Sequence, residues 1–264
     1  MRLGTAIATI LIALAAPALA QDTASSGSIE ADGTVVVPSF KLPPSIYISD
    51  AARAKLPRKP SDPEEPMYQA LAAGKAGELR ARIGEMMGSR LEPLKQKFGV
   101  TTQAGSLAGV PTVTVTPGGG VPAANKGKVL INLPGGGFVM GSAAGTGMLE
   151  SIPLASLARV EIVSISYRQA PEHAFPAASE DVANVYRELL KTHKPQDIGI
   201  FGCSAGGLLT AEAIAWFVKE SLPLPGAIGI FCASADARRG GDSIAFAKPF
   251  QAIPAREGPR NYFA

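Results

Sequence analysis

The chain has 264 residues, 46% of them hydrophobic and 18% charged, with a formal charge of +3. That is enough apolar sequence to bury one substantial α/β core, and it excludes a disordered or coiled chain. The near balance of charge argues against a nucleic-acid partner.

Residues 1–20 read as a secretory signal. Met1-Arg2 supplies a short positive start, residues 6–16 an apolar stretch, and Ala18-Leu19-Ala20 a small-x-small site before Gln21. The stretch is shorter than the roughly 18–20 apolar residues a membrane span requires, and no cysteine follows the cleavage site to carry a lipid. Export to a periplasm or to the outside is expected, with no stable membrane anchor after cleavage. Residues 21–65 are rich in small, polar and proline residues, including Lys41-Leu42-Pro43-Pro44, and predict a tether with little regular structure. Over 65–98, Leu71, Leu79, Ile83, Met86, Met87, Leu91, Leu94 and Phe98 recur at helical spacing. The segment 66–109 is therefore expected as a helical unit ahead of the main domain, residues 110–264. A strand over 111–116 is expected to open the sheet.

A second strand, 128–133, runs into Pro134-Gly135-Gly136-Gly137-Phe138. Such a loop turns backbone N–H groups toward a shared point and suits a developing oxyanion. A dinucleotide-binding reading fails, because Met140 stands where G-x-G-x-x-G requires its last glycine. Next come Val163-Ser164-Ile165-Ser166-Tyr167-Arg168-Gln169-Ala170-Pro171-Glu172-His173 and a helix over 179–192. A buried strand at 197–201 then leads into Gly202-Cys203-Ser204-Ala205-Gly206-Gly207, and apolar residues at helical spacing continue over 208–219. A serine in G-x-S-x-G between a strand and a helix is the pattern of a nucleophile elbow, which exposes the hydroxyl on a sharp turn. A further strand is expected over 227–232.

These three motifs, in this order and spacing, resemble the hormone-sensitive-lipase-like branch of the α/β-hydrolases, whose pattern runs HGGGF, then YRLAPEHPFPAALED, then GDSAGG. The resemblance covers roughly 110–235. It implies a three-layer α/β fold with a mostly parallel sheet and an N-terminal helical cap, in which Met86 and Met87 either pack as ordinary helix residues or line the acyl pocket. It implies hydrolysis of carboxylic esters with small to medium acyl groups. It assigns Ser204 as nucleophile and the amides of Gly135, Gly136 and Ala205 as the oxyanion hole. No metal and no organic cofactor are implied, the partner being a small-molecule ester. Oligomeric state is left open.

Three departures qualify what the resemblance carries over. Pro134 replaces the family's histidine, losing the hydrogen bonds that brace the glycine loop. Cys203 replaces the aspartate before the serine. The family's order is serine, acid, histidine, and no histidine follows Ser204. His173 is expected in a structural role and His193 at a solvated helix end, while Asp236 reads as a loop residue. Loss of the histidine costs on the order of a million-fold in turnover, so this chain is expected to be nearly inert by itself. About a hundred residues of the fold, including the acid and the base, are expected beyond this sequence. The competing expectation is a non-catalytic remnant or an ester-binding pseudoenzyme. Export would permit a disulfide between Cys203 and Cys232, but neighbouring parallel strand ends seldom give the required geometry, and two buried thiols are expected.

Overall fold

The computed structural model describes residues 28–37, 41, 43–56 and 65–235. The signal-like segment and everything from Asp236 onward lie outside these residues. The chain divides into two units, residues 1–58 and residues 59–264.

The first unit carries more regular structure than its proline content predicts. Strands β1 (Ser28–Ile29) and β2 (Val35–Val36) pair antiparallel. Their turn closes because Gly33 takes φ +87° and Asp32 Oδ1 accepts the Thr34 N–H at 2.9 Å. Helix α1 (Asp50–Ala54) starts at Ser49, whose hydroxyl accepts the Ala52 N–H at 3.2 Å.

In the second unit, helices α2 (Glu65–Ala72) and α3 (Ala76–Phe98) lead into strand β3 (Val100–Leu107), not into more helix as expected for 66–109. Gly99 stops α3 in the left-handed conformation, φ 57°. The polar, Thr-containing run after it pairs antiparallel with β4 (Val110–Pro117) over its whole length, so β3 opens the sheet instead of the 111–116 strand. The remaining elements are β5 (Val129–Leu133), α4 (Thr146–Ala158), β6 (Glu161–Ile165), α5 (Ala177–Leu189), β7 (Ile198–Cys203), α6 (Ala205–Lys219) and β8 (Ala227–Phe231).

Among the described residues the sheet has the order β3-β4-β6-β5-β7-β8. The pairs β6/β5, β5/β7 and β7/β8 are parallel, and β3 and β4 form an antiparallel flank. Alternation along the strands divides the core into two layers. Ile131, Val163 and Ile200 face Val182, Tyr186, Leu209 and Phe217 of α5 and α6. Ile162 and Phe201 face Met87 and Leu91 of α3 and Met148 and Ile152 of α4. The result is a three-layer α/β/α domain whose central strands, β5 and β7, end side by side. Met87 is a core residue and its neighbour Met86 is 49% exposed, which gives Met87 to helix packing.

Candidate active site

Strand β7 ends at Cys203, helix α6 begins at Ala205, and Ser204 alone makes the turn between them with φ 55° and ψ −123°. A non-glycine residue in that region costs on the order of 1–3 kcal/mol and persists only where its surroundings impose it. The Ser204 N–H donates to the Phe231 carbonyl of β8 at 2.9 Å, and the Ser204 carbonyl accepts the Leu208 N–H at 3.1 Å. The flanking glycines bring the turn hard against β5. A Cβ on Gly202 would lie 2.5 Å from the Leu133 carbonyl oxygen, and one on Gly206 would collide with the same atom. A Cβ on Gly207 would stand 2.9 Å from the Phe231 oxygen. Ser204 is exposed while Gly202, Ala205, Gly206 and Gly207 are buried, so the elbow presents one side chain to the open face.

The glycine loop lies directly beside it. A Cβ on Gly135 would be 2.6 Å from the Cys203 carbonyl oxygen and 3.4 Å from Ser204 Cβ, so the loop reaches Ser204 only because this position has no side chain. Gly136 (φ +148°), Gly137 (+62°) and Phe138 (+62°) then turn the chain, closed by bonds from the Val139 and Met140 N–H groups to the Gly136 carbonyl at 3.1 and 2.9 Å.

Side chains hold this loop from three directions. The Tyr167 hydroxyl donates to the Pro134 carbonyl at 2.7 Å. Burial, followed by the charges of Glu150 and Glu212, pushes its pKa well above the ordinary tyrosine value, so it remains a neutral donor. The Thr146 hydroxyl donates to the Gly135 carbonyl at 2.8 Å, and Gln169 Nε2 donates to the Gly141 carbonyl. From α3, Arg80 Nε donates to the Val139 carbonyl at 2.7 Å, while the same guanidinium pairs with Glu172 at 2.7 and 2.9 Å. That guanidinium holds the Glu172 carboxyl down to about 2.

Underneath the loop runs a buried polar chain. The Ser164 hydroxyl donates to Asn132 Oδ1 at 2.7 Å, and Asn132 Nδ2 donates to the Glu150 carboxylate at 2.7 Å. Burial raises the Glu150 pKa, and the Asn132 bond and the backbone N–H of Gly135 pull it part of the way back. The Gly135 N–H, expected as an oxyanion donor, also stabilises the Glu150 carboxylate. No acceptor among the described residues takes the N–H of Gly136 or of Ala205.

His173 is exposed in the loop beside the Arg80–Glu172 pair, its N–H bonded to the Gln169 carbonyl at 2.9 Å. His193 follows the end of α5 with Nδ1 2.9 Å from Thr192 Oγ1. No hydrogen bond to the Ser204 hydroxyl is made among the described residues. Cys203 and Cys232 are both free, but they are not buried as expected: Cys203 is half-buried and Cys232 exposed, because β8 lies at the edge of the described sheet. Burial, then the adjacent Cys232 thiol, raises the Cys203 pKa and keeps it a thiol. Among the described residues no group of three or more His, Cys, Asp or Glu is placed to hold a metal.

A family model described as the α/β-hydrolase fold matches residues 130–257, the span containing both motifs. The chain has the α/β-hydrolase fold. The crystal structure of an esterase E25 superposes with a TM-score of 0.58 at 28% identity, covering 81% of this chain and 65% of that one. This α/β-hydrolase is 34% identical over 141 residues to versiconal hemiacetal acetate esterase stcI of Emericella nidulans, covering 53% of this chain and 47% of the relative. It is 36% identical over 107 residues to an acetyl-hydrolase of Streptomyces hygroscopicus, covering 40% of this chain and 36% of the relative. The chain spans about half or less of the length of these two relatives.

Sequence reasoning marked Ser204 and the two glycine motifs, which the structure brings together. It missed Arg80, Asn132, Thr146 and Glu150. Their roles depend on where α3 and α4 pack, and nothing local distinguishes them from ordinary helix and strand residues.

Proposed function

We propose that this hydrolase is a serine carboxylesterase acting on small to medium acyl esters. Ser204 attacks the ester carbonyl, the alcohol leaves, and water releases the acyl group. The observation that carries the reading is the strained, exposed Ser204 packed beside the glycine loop, since backbone strain of this kind is held where function uses it. The oxyanion donors are the N–H groups of Gly136 and Ala205, the latter at the positive end of α6. The N–H of Gly135, the third expected donor, also favours the charged form of Glu150. The relatives named as an acetate esterase and an acetyl-hydrolase favour short acyl groups.

Among the described residues no acid or base is hydrogen-bonded to the Ser204 hydroxyl. Residues 1–20 direct export, a reading supported by their composition; N-terminal sequencing of the mature protein is expected to start at Gln21. The function itself is tested by treating the protein with a fluorophosphonate ester and mapping the adduct by peptide mass spectrometry. Modification confined to Ser204 is expected. Modification elsewhere, or none after prolonged treatment at millimolar reagent, overturns the reading.

A further inference from the structure

Pro134 stands where the resembled family keeps a histidine, yet the loop after it is ordered against Ser204. Two consecutive peptide planes explain how. A trans peptide directs its C=O and its N–H to opposite sides, so fixing one end aims the other. In the Pro134–Gly135 plane the carbonyl accepts the Tyr167 hydroxyl at 2.7 Å, which aims the N–H to the opposite side, where it favours the charged form of Glu150. In the Gly135–Gly136 plane the carbonyl accepts the Thr146 hydroxyl at 2.8 Å, which leaves the Gly136 N–H directed to the opposite side. Each plane is thus held at its carbonyl by a side-chain hydroxyl, and the second offers one free donor.

Thr146 and Glu150 are four residues apart on α4, so their side chains share one face. That face is pressed onto the loop because Gly147 stands between them. A Cβ there would collide with Ser164 Oγ and lie 2.9 Å from both Asn132 Oδ1 and Pro134 Cγ. The Glu150 carboxylate is in turn anchored to the sheet by Asn132, itself fully buried and fixed in its amide orientation by the Ser164 hydroxyl.

We propose that Thr146 and Glu150 are positioning residues that together set the peptide planes on either side of Gly135 and so aim the Gly136 N–H at the oxyanion, a bracing role that α4 supplies where Pro134 cannot. The inference rests on the esterase reading for what the amide is aimed at, but the bracing itself stands on geometry. Neither residue touches the substrate. Glu150 acts through Gly135, and Thr146 through the Gly135 carbonyl.

The test separates the two levels. Amide hydrogen exchange, read residue by residue by NMR on the whole chain, is expected to accelerate at Gly135 by on the order of tenfold or more in Glu150→Ala, as loss of a partner opens the loop locally. Glu150→Gln, which keeps an acceptor oxygen, is expected to restore most of the protection. Unchanged exchange at Gly135 in a folded Glu150→Ala protein overturns the proposal. Thr146→Val keeps the side-chain volume and covers the case in which Glu150→Ala does not fold. Its Gly136 amide resonance is expected to move and Thr146→Ser to return it, and an unmoved resonance overturns the proposal equally. Where Ser204-dependent ester hydrolysis is measurable, Thr146→Val lowers kcat on the order of tenfold to a hundredfold with KM unchanged, since misaiming of about 1 Å costs that much. A wild-type protein without Ser204-dependent hydrolysis sinks the esterase reading and leaves the exchange result to decide the bracing.

Discussion

At the elbow, position is enforced by backbone packing: Gly202 and Gly206 lie so close to the Leu133 carbonyl that no side chain fits, and Ser204 is held at φ 55° by strand and helix on either side. The glycine loop a few ångströms away is held by side chains instead, from Tyr167, Thr146, Glu150, Arg80 and Gln169. The two regions meet at Gly135 and Ser204, yet they tolerate change differently. Backbone packing leaves no softer alternative, whereas a loop held by several bonds loses them one at a time. Ser204 is therefore rigidly placed, and the glycine loop beside it is adjustable residue by residue.

The comparison breaks most visibly at Gly206. Gly206→Ala forces a methyl into the Leu133 carbonyl and is expected to destabilise the fold by about 3 kcal/mol, a Tm loss of roughly 6–12 °C. Thermal unfolding at the wild-type midpoint would place the elbow in the tolerant class with the loop. Asn132→Ala comes next, because it leaves the buried Ser164 hydroxyl and the Glu150 carboxylate without their shared partner; a loss of about 2 kcal/mol in urea unfolding is expected. Thr146→Val removes one bond without changing volume, and about 1 kcal/mol or less is expected in the same measurement, with its larger consequence in kcat.

The smallest effect concerns pH. Burial raises Glu150 and Glu212 above the ordinary glutamate value of 4.5. The unfolded chain gives up these protons first, so their contribution to stability is complete below about 4.5 and is lost as pH rises through the raised folded values. Glu212→Gln, which removes one of the two carboxyls, is expected to flatten the loss of stability between pH 4.5 and neutrality. A steeper loss in the variant contradicts the assignment.

Much of this arrangement was legible in the sequence, and the divide follows the same contrast. Glycines that backbone packing demands leave a fixed local spelling, so G-x-S-x-G and Pro134-Gly135-Gly136-Gly137 could be read directly, as could the strands feeding them. The braces have no such spelling. Glu150 becomes a loop residue only because α4 crosses β5 at Gly147, and Arg80 reaches Val139 across 59 positions of sequence. The strand at Val100–Leu107 escaped for a related reason, since its pairing with β4 and not its own polar composition decides its conformation. The Pro134–Gly135 peptide plane likewise has no local signal, since Tyr167, which holds its carbonyl, is remote in sequence.

The most direct test of the proposed elbow and oxyanion loop is chemical rescue. Hydrolysis of p-nitrophenyl acetate would be followed with increasing imidazole, for the wild-type chain and for Ser204→Ala at matched concentrations. The account predicts an imidazole-dependent rate for the wild type at least about tenfold above that of Ser204→Ala, the free imidazole acting as the missing general base. Equal rates for the two proteins across the whole imidazole range would contradict it.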